Sequence, residues 1–503
     1  MWPMILTLKV LITYYNCSTD KRVENAVYSG LKFLHTRLKS NSLCNWGAAR
    51  WFEALFAVEW LYARKPEKWL AELTEILKIS GYDYTKAFPL WRTPENEWDF
   101  YRHVVNAAMA IKSETLYNLI KGRRDDKFAE KAYRFLMKHH GTPAGHFTGD
   151  ECLSGRSPLQ GAELCSVTEA MFSYETLVSV TGKSYWADRT EELAFNSLPA
   201  ALSEDMWTHQ YDQMINQISC TYMREPPIFR TNANEAHLFG LEPHFGCCTA
   251  NFGQGWPKFA LSSFMRTEKG IAAVMLLPAK LNTNIGNHKV TVISETLYPF
   301  RPQLNYTVIT SSPVKFELKI RIPEWAEKTL VNGNIYERSG YIEIERIWNG
   351  KETVNIEFIY TPRFIKTYKN LYALKYGPLL FSLPLKYRKI KHEYIKDGVE
   401  RKFPYCDYEL KPESAWNYAF SSDKTEMVFN SSFKLPFSED YPPLKIYARF
   451  SEIKWPYHSK QPDICAEIPE NTKPLSKPQT IAMIPYGAAK LRMTAMPFSE
   501  KRD

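Results

Sequence analysis

Two hydrophobic periods divide this chain. Trp51, Leu55, Val58 and Leu61 fall on one stripe of WGAARWFEALFAVEWLYAR (46–64). Val104, Ala107, Ala108, Ile111, Leu116, Leu119 and Ile120 do the same in HVVNAAMAIKSETLYNLIKG (103–122). Apolar positions three and four apart predict amphipathic helices. Three times an apolar stretch runs into a short polar turn and a second amphipathic stretch, at NCSTDKRVENAVYSGLKFL, LIKGRRDDKFAEKAYRFL and VTGKSYWADRTEELAFNSL. Such units predict helical hairpins in series. Their irregular spacing excludes a solenoid of fixed period and favours a closed ring of helix pairs. Further on the period becomes two. VKFELKIRI alternates Val314, Phe316, Leu318, Ile320 and Ile322 with charged neighbours, and TVNIEFIY does so with Val354, Ile356 and Phe358. Alternation marks half-buried antiparallel strands, VNGN (331–334) supplies a hairpin turn, and Pro313, Pro323 and Pro362 bound the strands. The expected organisation is α then β, with a helical domain over 1–265, a β-sandwich over 266–385 and a second β region over 386–503. A division is expected on size alone, since single cores stop growing near ~250–300 residues. The proline-rich stretch 403–475 shows no period.

The composition suits a packed core: 45% hydrophobic, 14% aromatic and 24% charged. Aromatic rings serve sugar-binding clefts as stacking platforms, and cores and interfaces equally. The formal charge of +9 is scattered, apart from KYRKIKHEYIKDGVERK (386–402), which reads as a solvated loop or hairpin. No arginine-rich, zinc-finger or RNP-like pattern accompanies it, so no nucleic-acid partner is expected. The opening MWPMILTLKVLITYYNC is apolar but contains Lys9 and lacks a basic start and a small-residue cleavage site; it reads as a buried helix. With no apolar run of 18 residues, no membrane span is expected, and a cytoplasmic location is favoured. Nine unevenly spaced cysteines do not form a disulfide framework, so most are expected as free thiols.

The candidate chemistry starts at HFGCCTANF (244–252). Adjacent cysteines do not pair comfortably, because a vicinal bridge strains both the peptide and the disulfide. Two thiolates at one place call for a cation, and tetrahedral zinc needs two more ligands. Glu163 and Cys165 in GAELCSVTEAMF are two apart. Mid-helix that spacing would splay them, whereas at an N-terminal turn after SGRSPLQGA both face one side. The bland alternative is a buried helix thiol at Cys165 and a cysteine pair packed under a loop.

Three stretches, TGDECLSGRSPLQGAELCSVTEAMFSYETL, HQYDQMINQ and EPHFGCCTANFGQGWPKFA, resemble the β-L-arabinofuranosidase family of glycoside hydrolases. RIPEWA with VNG, YGPLLF and IPYGAAKLRMT are similar to its β-domains, so the resemblance spans nearly the whole chain. It implies an (α/α)6-type barrel followed by β-sandwich domains, and a retaining glycosidase whose nucleophile is a zinc-bound cysteine. Glu163, Cys165, Cys247 and Cys248 are then the metal ligands, Cys247 also the nucleophile, and Glu151 the general acid/base, with Asp150 its rival. His103, His209 and Tyr211 resemble substrate-binding residues, Gln210 and Asn216 are weaker candidates, and Glu242 and His244 would orient ligands. Trp256 reads as core. The family's members carry further helices ahead of the stretch matching Met1 to Leu38, and roughly eight or nine helices are counted here where six hairpins need twelve, so the barrel is expected to be truncated or incomplete. The implied partner is an oligosaccharide or polysaccharide-derived glycoside; a second copy of the chain is a further candidate.

Two rivals stay open. One is a catalytically silent helical-barrel protein whose Cys3Glu zinc is purely structural. The other is a hydrolase or lyase working through Asp150, Glu151 or His209 without the thiols. Which sugar is cleaved is not legible in the residues.

Overall fold

The computed structural model describes residues 1–240 and 246–499. Glu242 and His244 lie outside the described residues. Among the described residues the helices all lie before Phe264, and the strands follow from there apart from short ones at Ala162–Glu163, His209–Gln210, Asp212–Gln213 and Phe239–Gly240.

The predicted hairpins form at all three places. Trp2–Ser18 packs on Arg22–Leu38, Ser113–Ile120 on Lys127–His140, and Leu164–Thr181 on Ser184–Glu192. The polar turns end the first helices by left-handed residues, Thr19 at φ 54° and Gly182 at φ 71°. Two expectations need correction. The opening helix is buried on one side only, through Ile5, Leu8 and Ile12, while Leu6, Val10 and Tyr14 are exposed. Apolar residues surround that helix, so its pattern did not tell which side faces the core. The stretch 103–122 is two helices, Val104–Ala110 and Ser113–Ile120. Between them Lys112 turns inward, fully buried, to pair with Glu53 at 2.7 Å. Lys9 reaches the same carboxylate at 2.6 Å, which leaves Glu53 doubly paired and holds its pKa down.

The strands make two facing sets between 264 and 359. Four strands run in the order Tyr341–Trp348, Val314–Arg321, Gly270–Ala273, Phe264–Arg266, and six run from Asn334–Tyr336 to Ala279–Ile285. Val314, Phe316, Leu318 and Ile320 are buried, as are Val354, Ile356 and Phe358. Asn332 and Gly333, at φ 49° and 83°, turn the chain between Val331 and Asn334. The basic stretch contains a hairpin, Tyr394–Lys396 on Val399–Arg401. The proline-rich stretch holds long strands all the same, Tyr418–Phe429 and Leu444–Glu452, interrupted by a register shift between Phe420 and Thr425. There a bulge broke the alternation that sequence reading depends on.

The β half is tied back to the helical half. Strands Tyr387–His392 and Asp407–Pro412 continue a sheet through Phe239–Gly240 to His209–Gln210. Buried Arg492 donates to the Met214 carbonyl at 2.6 Å, and Asn216 accepts from the Thr494 and Ala495 amides at 3.0 and 2.9 Å. This clamp holds the segment 209–217 from behind.

Candidate active site at two helix N-termini

Glu163 and Cys165 sit at a helix N-terminal turn, one of the two placements their spacing left open. Glu163 is the N-cap of the Leu164–Thr181 helix, in extended backbone, and Cys165 is in its first turn. Cys247 and Cys248 open the Gly246–Leu261 helix, which packs on the first. Partial positive charge at both helix N-termini therefore meets the thiols, the setting that favours thiolate. Ligand atoms of Glu163, Cys165, Cys247 and Cys248 all lie within 4.8 Å of one another, and the Cys165 and Cys248 sulfurs are 3.3 Å apart. Three of the four are buried; Cys247 alone is exposed.

Burial pushes the Cys165 and Cys248 thiols and the Glu163 carboxyl well above their ordinary ranges. Hydrogen bonds from Cys165 and Cys248 draw the Cys247 thiol down instead. The surroundings thus favour the anionic form at the exposed sulfur over the other three groups. The donor set fits zinc. Tetrahedral zinc with bonds of ~2.3 Å to sulfur and ~2.0–2.2 Å to oxygen spaces three sulfurs and one oxygen about 3.5–3.8 Å apart. Glu163 Oε2 is buried with no hydrogen-bond partner among the described residues, an acceptor left for something positive.

The loop 149–163 delivers Glu151 beside this cluster. The Gly149 amide donates to the Gly161 carbonyl at 2.9 Å, and the Glu163 amide to the Gly149 carbonyl at 3.3 Å. Glu151 Oε1 accepts from the Tyr211 hydroxyl at 2.5 Å; Oε2 accepts from Trp98 Nε1 at 3.1 Å and lies 2.9 Å from His103 Nε2. Burial, then the Glu163 and Glu151 charges, keep that phenol protonated. Asp150 points the opposite way into the interior, where Oδ1 accepts from the Gly161 amide at 2.7 Å and Oδ2 from the Arg230 amide at 2.8 Å. Burial lifts its pKa to about 7. Asp150 braces the loop, and Glu151 faces the cluster. Position 161 must be glycine, because a Cβ there would come within 2.6 Å of the Asp212 carboxyl.

Of the remaining candidates, His103 joins Glu151 and stands 3.9 Å from Glu163. His209 bonds the Thr249 hydroxyl at 2.9 Å, next to the cysteine pair. Gln210 does not join them: its amide is turned inward to the His237 carbonyl at 2.7 Å. Asn216 is spent on the C-terminal clamp. Trp256 is half-buried, bonds the Ala194 carbonyl at 3.0 Å and stacks on Phe437. Sequence reading missed Trp98 and Trp46. Their signal was the aromatic run EWDFYRH leading into His103.

Residues 270–359 match the family model described as beta-L-arabinofuranosidase, GH127 middle domain. A GH127 beta-L-arabinofuranosidase from Geobacillus stearothermophilus T6 is 16% identical, with 98% of this chain and 78% of that one covered at a TM-score of 0.67. A GH127 beta-arabinofuranosidase is 13% identical over 99% and 76%, and a structure titled glycoside hydrolase is 15% identical over 99% and 83%, both also at 0.67. No curated protein matches the sequence. The chain thus carries a stretch that matches the GH127 middle domain, within a fold similar to that of GH127 beta-L-arabinofuranosidases.

Proposed function

We propose that the protein is a retaining glycoside hydrolase acting on L-arabinofuranosides or related plant-polysaccharide sugars, with Cys247 as nucleophile and Glu151 as general acid/base. One observation carries this reading: the exposed Cys247 sulfur and a Glu151 carboxylate oxygen each lie within 4.8 Å of a Glu163 carboxylate oxygen. Retention needs a nucleophile and a proton donor ~5–5.5 Å apart on opposite sides of the anomeric carbon. Two groups that both flank Glu163 suit that separation.

In the first step the Cys247 thiolate attacks the anomeric carbon while Glu151 gives its proton to the departing glycosidic oxygen. A thioglycosyl intermediate results. In the second step Glu151, now a carboxylate, takes a proton from water, whose oxygen displaces the sulfur. The thiolate and the acid are restored. Glu163, Cys165, Cys247 and Cys248 would hold zinc, which supplies the positive charge that keeps all three thiols deprotonated at neutral pH. His103 and Tyr211 hold the Glu151 carboxyl between them, and together with His209 they offer hydrogen bonds to sugar hydroxyls.

The helical hairpins belong, in this proposal, to an (α/α)6-type barrel over 1–265, with β domains over 266–385 and 386–503. The test is a panel of aryl glycosides with and without chelator, and an electrophilic sugar analogue as label. Hydrolysis of an aryl β-L-arabinofuranoside that stops on chelation, with the label found on Cys247 alone, is the expected result. Turnover that ignores both the chelator and a Cys247→Ser substitution sinks the proposal.

A further inference from the structure

We infer that Trp98, backed by Trp46, forms a subsite for the sugar ring that departs in the first step, so that the substrate is a glycoside of two or more rings. The inference rests on Glu151 as the acid. Leaving-group oxygen must come within ~2.6–3.2 Å of that carboxyl to take its proton. Whatever is attached to this oxygen therefore touches the residues that border Glu151 on its open side. Trp98 borders it directly, since its indole N–H donates to Glu151 Oε2 at 3.1 Å while the residue stays 44% exposed.

The rings around it are ordered. Trp98 stands edge to face with Phe100 at 4.6 Å and with Trp46 at 6.1 Å, and Trp46 in turn meets His103 at 5.5 Å. The loop that carries Trp98 is clipped to the loop that carries Glu151. The Glu95 amide donates to the Leu153 carbonyl at 2.9 Å, the Val104 amide to the Glu151 carbonyl at 2.7 Å, and the Asp99 amide to Cys152 sulfur at 3.3 Å. Platform and carboxyl thus move as one body, and an exposed ring held in place loses little freedom on binding. An indole offers an apolar, electron-rich face with a polar edge. A sugar ring complements both, its C–H face on the indole and its hydroxyls toward the carboxylate edge. A methyl group in its place would leave the face uncovered.

The test measures binding to the full chain carrying Glu151→Gln, whose amide oxygen still accepts from Trp98. The probes are an L-arabinofuranosyl disaccharide and methyl L-arabinofuranoside, followed by calorimetry. The disaccharide should bind about tenfold more tightly. Adding Trp98→Ala should erase that preference, and adding Trp98→Phe, which keeps a ring, should retain most of it. Equal affinity for the two probes, equal weakening of both by Trp98→Ala, or binding of neither overturns the subsite. A preference that holds while the unsubstituted chain cleaves neither compound leaves the subsite standing and rejects the hydrolase reading.

Discussion

The helices Leu164–Thr181 and Gly246–Leu261 bring their first turns to one place and expose them differently. The first contributes Glu163 and Cys165, each 1% exposed; the second contributes buried Cys248 and exposed Cys247. A group shut in on all sides can hold a cation but cannot reach a sugar. A group open on one side can do both. Within a cluster of four similar acids, the local geometry thus separates holding from reacting.

That comparison breaks first at Cys247. Cys247→Ser should lower the melting temperature less than Cys165→Ala or Cys248→Ala does, and lower kcat by on the order of 10^4 or more, the scale of losing a nucleophile. Equal loss of fold would show that the exposed sulfur is as structural as the others. Glu151→Gln comes next: kcat for poor leaving groups should fall by about 10^2–10^4, while activated aryl glycosides lose far less. Equal slowing of both substrates removes Glu151 from the acid role. At the buried ends, Cys165→Ala and Cys248→Ala should each weaken zinc binding by more than the roughly 10–100-fold typical of losing a group that only orients a ligand. Metal content and melting temperature are the readouts, and a protein that still holds one equivalent of zinc refutes the assignment.

The smallest effect concerns pH at the first helix's approach loop. Buried His140 lies 3.0 Å from the Trp91 carbonyl through Nε2 and accepts from the Gly155 amide at 3.0 Å through Nδ1. Burial holds its pKa down to about 4, against 6.5 when unfolded, with His139 adding to the fall. A depressed folded pKa means the stabilisation is whole above 6.5 and is lost as pH falls toward 4. The contribution is about 1.4 kcal/mol per pH unit at full slope. Urea unfolding of His140→Gln should show a shallower acid loss than the unsubstituted chain; identical slopes would dismiss the histidine.

Legibility followed physical range. Alternation in VKFELKIRI and the Asn332–Gly333 turn are local, so strand, face and hairpin were readable from neighbours in sequence. ExC was readable only in part: its spacing left a helix start and a buried helix thiol both open, and the position of Glu163 at the N-cap decided between them. Asp150 and Glu151 were not separable, being adjacent acids whose directions depend on Gly161, Arg230 and Tyr211, which lie far along the chain. Trp98 was hidden for the same reason, as nothing nearby in sequence marks the Glu151 it bonds.

By itself the amino-acid sequence determined the order of helices before strands, the three helical hairpins, the strands in VKFELKIRI and TVNIEFIY and a short set of chemically apt residues, because periodicity and turn preference act over a few neighbours. Tertiary structure alone decided which sulfur meets solvent and which of two adjacent carboxyls turns to Tyr211 and His103. Those outcomes depend on two helix ends and a braced loop converging from positions up to 97 residues apart, Glu151 to Cys248, and only the packing of the whole chain brings them together.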